Sequence, residues 1–169
     1  MNNKLPKWHV VYTMPKQEKQ LISKLTEIKV NAFLPLIKTV NQWHDRKKTI
    51  EAPLFPSYVF VYIENRMDMY KISALKGVVS FVKFGNELAT LSQSIIDNIK
   101  LTITNFSHIE ITAFHFQPGQ QLIIKDGPLS GFECELITYN GNEKALVRMD
   151  ILNRNLLIDI DLKSMSKKR

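Results

Sequence analysis

The chain has 169 residues and a mass of 19.6 kDa, enough for one ordinary domain or two small ones, and its 44% hydrophobic and 23% charged content excludes wholesale disorder. A single cysteine, Cys134, excludes an internal disulfide framework and an all-cysteine zinc site; no apolar run approaches the ~18 residues of a membrane span and the opening MNNKLPKW lacks a signal-peptide core, so a soluble cytoplasmic protein is expected. The net charge of +7 suits a polyanionic partner and is uneven: residues 1–116 hold 15 basic and 9 acidic side chains, residues 117–169 hold 8 and 7.

In residues 7–13, Trp8, Val10 and Tyr12 alternate with His9, Val11 and Thr13, which predicts a strand. Pro15 suits the first turn of a helix, where its missing N–H costs nothing, and Leu21, Ile22, Leu25 and Ile28 form one stripe of a helix running from Lys16 to Ile28. Residues 31–37 read as extended, with Pro35 pointing to an edge strand. The polar stretch 40–53 reads as a hairpin with His44, Asp45, Arg46, Lys47 and Lys48 at its tip. Residues 57–63 place Val59, Val61 and Ile63 on one strand face and Tyr58, Phe60 and Tyr62 on the other, so this strand is expected to be covered on both faces. Met69, Ile72 and Leu75 predict a short helix, residues 77–84 a strand, and residues 84–89 a turn or hairpin. Ser92 can cap a helix carrying Ile95, Ile96 and Ile99. This order predicts an α+β domain, with helices packed on an antiparallel sheet.

Residues 102–117 lose periodicity and end at Gln117-Pro118-Gly119, which reads as a linker. Beyond it Leu122 and Ile124, then Phe132, Cys134 and Leu136, then Leu156, Ile158, Ile160 and Leu162 alternate with mostly polar residues, and Asn140-Gly141 is a hairpin turn. Short strands broken by Gly and Pro turns predict a small all-β barrel. The tail Lys167, Lys168 and Arg169 reads as frayed. The expected division is a domain over 1–104, a linker over 105–117 and a second domain over 118–166.

The segment KDGPLSGFE (125–133), after Pro118-Gly119, resembles a KOW motif, the signature of small barrels in ribosomal proteins and transcription elongation factors. Its turn chemistry agrees: Gly127 accepts positive φ, Pro128 restricts the next step and Gly131 permits close backbone approach. Trp8 and Tyr12 ahead of a helix, then EAPLFPSYVFV (51–61), then Lys76-Gly77-Val78 and FVKFG (81–85), resemble the N-terminal domain of NusG-type factors. The two resemblances, in that order, cover nearly the whole chain. QWHDRKK (42–48) followed by PLFP (53–56) is similar to the specialised UpxY and RfaH type of paralogue.

The resemblance implies a non-enzymatic, monomeric factor. Its N-terminal domain would bind the clamp helices of the largest RNA polymerase subunit, hold the clamp closed and suppress pausing and premature termination. Its KOW domain would recruit ribosomal protein S10 or the termination factor Rho. A UpxY-like factor would serve particular operons, such as those for polysaccharide biosynthesis. The alternative readings are a general housekeeping NusG and a KOW-type module that binds RNA or the ribosome.

Carried over position by position, Tyr12, Leu54, Phe55, Tyr58 and Phe60 match the surface that receives the clamp helices. Large aromatics in an apolar groove suit interface anchors, and aromatics at period two equally suit a domain's own core; periodicity leaves both open. Lys16, Gln17, Gln20, Lys24 and Lys76 match a surface facing the non-template DNA strand, where Lys neutralises phosphates and Gln reads base edges. The plainer reading is a solvated helix face. At the hairpin, Trp43 is suited to stack on a base and Arg46, Lys47 and Lys48 to meet phosphates, or all four form a solvated tip. The family's second polymerase contact falls near Asp68, Met69 and Tyr70, where Asp68 also reads as a helix cap. In the KOW domain Ile151, Leu152 and Arg154 occupy the partner-binding place, with Leu152 standing for an aromatic. RfaH-type C-terminal domains refold between helix and barrel; the period-two pattern of residues 155–162 predicts strands here.

Enzyme readings find little support. His9, His44, His108 and His115 are scattered and none has metal-ligand spacing with Cys134. Cys134 alternates inward with Phe132 and Leu136, as an inert thiol does. No glycine loop cradles a phosphate, and Asp159 and Asp161 lack a third carboxylate. No catalytic residue, metal or cofactor is expected.

Overall fold

The computed structural model describes residues 7–43, 46–105, 109–112, 119–124, 133–139, 141–149, 154–158 and 165–167. They divide into two compact units, Met1–Ile96 and Asp97–Arg169.

The first unit is built around strand β1 (Lys7–Thr13), in which Trp8, His9, Val10 and Val11 are buried. Helix α1 (Glu18–Glu27) follows, then β2 (Ala32–Phe33), β3 (Leu36–Trp43), β4 (Arg46–Pro53), β5 (Tyr58–Ile63), helix α2 (Arg66–Ser73), and four short strands, β6 (Val78–Phe81), β7 (Lys83–Phe84), β8 (Glu87–Leu88) and β9 (Thr90–Leu91). The main sheet runs β2-β5-β1-β6, with β9 also paired to β1 and every pairing antiparallel. Strands β1 and β5 pair in unbroken register from Lys7↔Ile63 to Tyr12↔Tyr58. Leu21, Leu25 and Ile72 from the two helices pack with Val30 on Val11, Val59, Val61 and Ile63. The α+β architecture, helices on an antiparallel sheet, is the one the pattern predicts.

Helix ends differ from expectation in instructive ways. Helix α1 starts at Glu18, and Lys16 stands at φ 65, so Pro15 lies in the preceding turn and not in the first helical turn. At the other end Lys29, at φ 59, closes a Schellman motif: its N–H bonds the Thr26 carbonyl at 3.0 Å and that of Val30 bonds the Leu25 carbonyl at 2.9 Å. In α2 the cap is Asn65. Asn65 Oδ1 accepts the Asp68 N–H at 3.0 Å, and the Asp68 carboxylate accepts the Asn65 N–H at 3.3 Å, so Asp68 is the reciprocal member of a capping box and not the cap itself. Helix α3 (Gln93–Asn105) opens with Ser92 Oγ accepting the Ile95 N–H at 3.4 Å, as the sequence suggests.

Strands β3 and β4 form a separate two-stranded ribbon with eight register pairs, from Leu36↔Pro53 to Trp43↔Arg46. Pro35 falls between β2 and β3, and β2 is an edge strand of the main sheet.

The second unit holds α3 from Asp97 onward and an antiparallel sheet of β10 (Ile109–Thr112), β11 (Gln120–Ile124), β12 (Glu133–Tyr139), β13 (Asn142–Met149), β14 (Arg154–Ile158) and β15 (Met165–Lys167), in the order β10-β14-β13-β12-β11-β15. Gly141, at φ 77, turns β12 into β13 with Tyr139↔Asn142 as the last pair, the tight hairpin expected at Asn140-Gly141. Ile137, Leu146 and Leu157 make a core cluster across three strands. Cys134 and Glu135 are also buried, so β12 is covered at both parities rather than only on the Cys134 side. The segment read as a linker contains β10, which pairs with β14 from Ile109↔Ile158 to Thr112↔Asn155. Four residues are too few for periodicity to register; the free edge of β14 completes the strand. Lys167, read as part of a frayed tail, pairs with Leu122. Residues 125–132 of the KOW-like motif, Leu152 and Ile151 lie outside the described residues.

Candidate functional site

Directly opposed residues in an antiparallel pair project from the same face. The β1–β5 register therefore sets Trp8 against Tyr62, Val10 against Phe60 and Tyr12 against Tyr58 on the sheet face away from α1 and α2. The β2–β5 register adds Phe33 opposite Phe60. The rings meet as well as align. Tyr12 and Tyr58 have centroids 5.4 Å apart, Phe33 stacks on Phe60 at 6.1 Å, Phe55 meets Phe60 edge-on at 5.9 Å, and Trp8 meets Tyr62 at 5.4 Å. Aromatic pairs at these separations add stabilisation beyond their buried area.

Burial divides this row. Leu54, Phe55 and Phe60 are at most 1% exposed, and the Phe55 and Phe60 rings in contact form a floor; Tyr58 is half-buried and Tyr12 is 38% exposed, forming a rim. Of the five aromatic and apolar residues singled out in the sequence, three are core and two reach solvent. The expectation that β5 is covered on both faces holds for Phe60 and stops at Tyr58 and Tyr62, both half-buried. Phe33 is a half-buried participant that sequence reasoning missed, because only the β2–β5 pairing brings it to Phe60.

Gln17, at the cap of α1, and Lys24, on it, meet the Lys76-Gly77 segment. Gln17, Gln20 and Lys24 share one helical face by spacing, and Lys24 Nζ donates to the Lys76 carbonyl at 2.8 Å. Gln17 lies against Gly77: a β-carbon there would sit 3.4 Å from Gln17 Oε1. Lys16, Gln20 and Lys76 are exposed, while Gln17 and Lys24 are half-buried. Because α1 covers one sheet face and the aromatic row lies on the other, the two candidate surfaces do not merge. Trp43, Arg46, Lys47 and Lys48 lie at the far end of the β3–β4 ribbon, with Trp43↔Arg46 its terminal pair; His44 and Asp45 are outside the described residues. Arg154 begins β14 opposite Met149. On α2, Tyr70 is exposed and Met69 packs partly against the core.

Two titratable groups among the described residues have shifted pKa values. His9 is 1% exposed on β1, and neither ring nitrogen has a hydrogen-bond partner among the described residues; the Phe81 ring meets it edge-on at 6.5 Å. Burial holds its pKa below 6.5, opposed by the Ala89 backbone and reinforced by the Lys7 charge. Burial, then the Glu135 charge, pushes the Cys134 thiol up to about 11. Among the described residues no group of three or more His, Cys, Asp or Glu could hold a metal, and no helix is long and apolar enough to cross a membrane.

A family model described as "Transcription termination factor nusG" matches residues 6–100. Among solved structures the chain is similar to one described as "Domain interaction in Thermotoga maritima NusG", with 20% identity, 98% of each chain covered and a TM-score of 0.55; this likeness is one of fold. It also matches the MjSpt4:Spt5 complex in conformations A and B, at 15% identity with TM-scores of 0.32 and 0.33, covering 95% of this chain and 97% and 95% of those chains.

Proposed function

The chain belongs to the NusG family of transcription factors, and from that premise we propose that it is a non-enzymatic, cytoplasmic elongation and antitermination factor that docks on RNA polymerase through the Tyr12–Tyr58 rim. The observation that carries this reading is the Tyr12–Tyr58 ring pair, exposed at Tyr12 and half-buried at Tyr58, on the same sheet face as the buried Phe55–Phe60 floor. A rigid floor beneath two amphipathic rings suits a hydrophobic helical target such as the polymerase clamp helices. Leu54, Phe55 and Phe60 then act by supporting the rim.

The surface of Lys16, Gln17, Gln20, Lys24 and Lys76 would follow the exposed non-template DNA strand, with Lys24 held by the Lys76 carbonyl and the other two lysines free for phosphate. The second unit, read as a KOW-type barrel, would recruit ribosomal protein S10 or Rho, and the likeness of residues 42–56 to UpxY-type factors supports an operon-specific role. Pull-down with core polymerase and an elongation assay on a pausing template test the proposal. Polymerase capture and shortened pauses are expected, with capture weakened by Tyr12→Ala and Tyr58→Ala in a folded protein. No capture, or unchanged pausing, overturns it.

A further inference from the structure

The turn from β4 into β5 is held by a buried carboxylate that the docking surface does not itself contain. Glu18, the first residue of α1, is 5% exposed, and its Oε1 accepts the Ser57 backbone N–H at 2.8 Å. Ser57 is itself buried and stands at φ 66, a left-handed conformation that residues with a β-carbon disfavour. Its carbonyl accepts the Thr13 N–H at 2.8 Å, at the end of β1 and next to Tyr12. On either side, the Leu54 N–H bonds the Pro35 carbonyl at 2.8 Å and the Tyr58 N–H bonds the Phe55 carbonyl at 3.1 Å. One left-handed residue thus turns the chain from the buried pair Leu54-Phe55 to Tyr58, which leaves toward Tyr12.

We infer that Glu18 is a positioning residue for the Tyr12–Tyr58 surface, acting through the Ser57 backbone; this rests on the reading that the surface docks on polymerase. A strained backbone persists only where its surroundings over-determine it. Here the over-determination comes from two sides, the Glu18 carboxylate on the Ser57 N–H and the Thr13 N–H on the Ser57 carbonyl. Without the carboxylate the Ser57 N–H is a buried donor with no acceptor, and of the two anchors only the Thr13 bond to the Ser57 carbonyl is left to oppose relaxation of the turn to negative φ. That relaxation redirects Tyr58 away from Tyr12. The place of Glu18 in the first turn of α1 also favours a negative group.

The full chain is titrated against core RNA polymerase, with amide exchange at Ser57 followed by NMR. Glu18→Ala is expected to weaken binding about tenfold, the worth of one hydrogen bond to a charged acceptor, and to open the Ser57 amide to exchange. Glu18→Gln keeps a neutral acceptor oxygen and is expected to bind within about threefold of wild type. Ser57→Gly in the Glu18→Ala background is expected to restore binding, because glycine holds positive φ without an anchor; a role limited to filling the core is not rescued this way. If Glu18→Ala does not fold, the double variant decides: folded with wild-type affinity upholds the inference, and unfolded or weakly binding overturns it. Unchanged binding and unchanged Ser57 protection in Glu18→Ala also overturn it. Tyr12→Ala and Tyr58→Ala test the premise separately. If they leave polymerase affinity untouched, the surface reading fails and Glu18 is judged by Ser57 exchange alone.

Discussion

Replacing His9 with leucine measures what an unpartnered imidazole costs at the centre of the main sheet. The ring lies on β1 between β5 and β9, its residue paired with Val61 and Thr90, and both nitrogens are buried without a partner. Leaving a polar group buried and unpaired costs about 1–3 kcal/mol, and leucine is apolar and close in volume, so His9→Leu should stabilise the first unit by about 1 kcal/mol at pH 7.5. The pH dependence follows from the lowered pKa. The unfolded chain takes up a proton as pH falls through 6.5 while the folded chain stays neutral, so stability is present above that value and is lost below it, down to the folded pKa. Between pH 7.5 and 5.5 this one group removes at most about 1.4 kcal/mol, the worth of one pH unit of unequal protonation. Urea titrations of both proteins at the two pH values, read by the fluorescence of buried Trp8, give the comparison. The advantage of His9→Leu should widen at pH 5.5. Parallel loss of stability in the two proteins, or a less stable leucine variant at both pH values, would refute the argument.

Gly119→Ala should destabilise the second unit by about 2–4 kcal/mol, because a β-carbon there falls well inside contact distance of the Leu136 carbonyl, and Leu136 is fixed in register opposite Gln120. The substitution should also strain the Gly119 N–H bond to Glu135 Oε2, now 2.9 Å, and loss of amide protection in β11 and β12 reads both effects. Cys134, with its thiol raised to about 11, should react with a disulfide reagent at pH 8 far more slowly in the native protein than in urea; equal rates would mean that the thiol is not buried.

Much of the first unit is readable from residue order. The alternation in residues 7–13 and 57–63 is strong enough to place β1 and β5, and the stripe of Leu21 and Leu25 places α1. The aromatic residues of the candidate surface are equally visible, as positions. What periodicity cannot say is which of them reach water: Tyr58 and Phe60 share a face, yet Phe60 is buried with the Phe33 and Phe55 rings against it, while Tyr58, against the exposed Tyr12 ring, is half-buried.

Residue order alone carries the α+β class of the first unit, its main helices and strands, the basic excess of residues 1–116 and the family to which the chain belongs. Those properties are local or compositional, and a period of two or 3.6 carries them without knowledge of neighbours. Tertiary structure alone decided the division of the aromatic row into floor and rim, the pairing of Lys24 with Lys76, the β10 strand on the edge of β14, and the reach of Glu18 to Ser57. Each of these depends on groups far apart in the chain meeting in one place. A left-handed serine or a four-residue strand gains its stability from those distant partners, so neither leaves a pattern in its own segment.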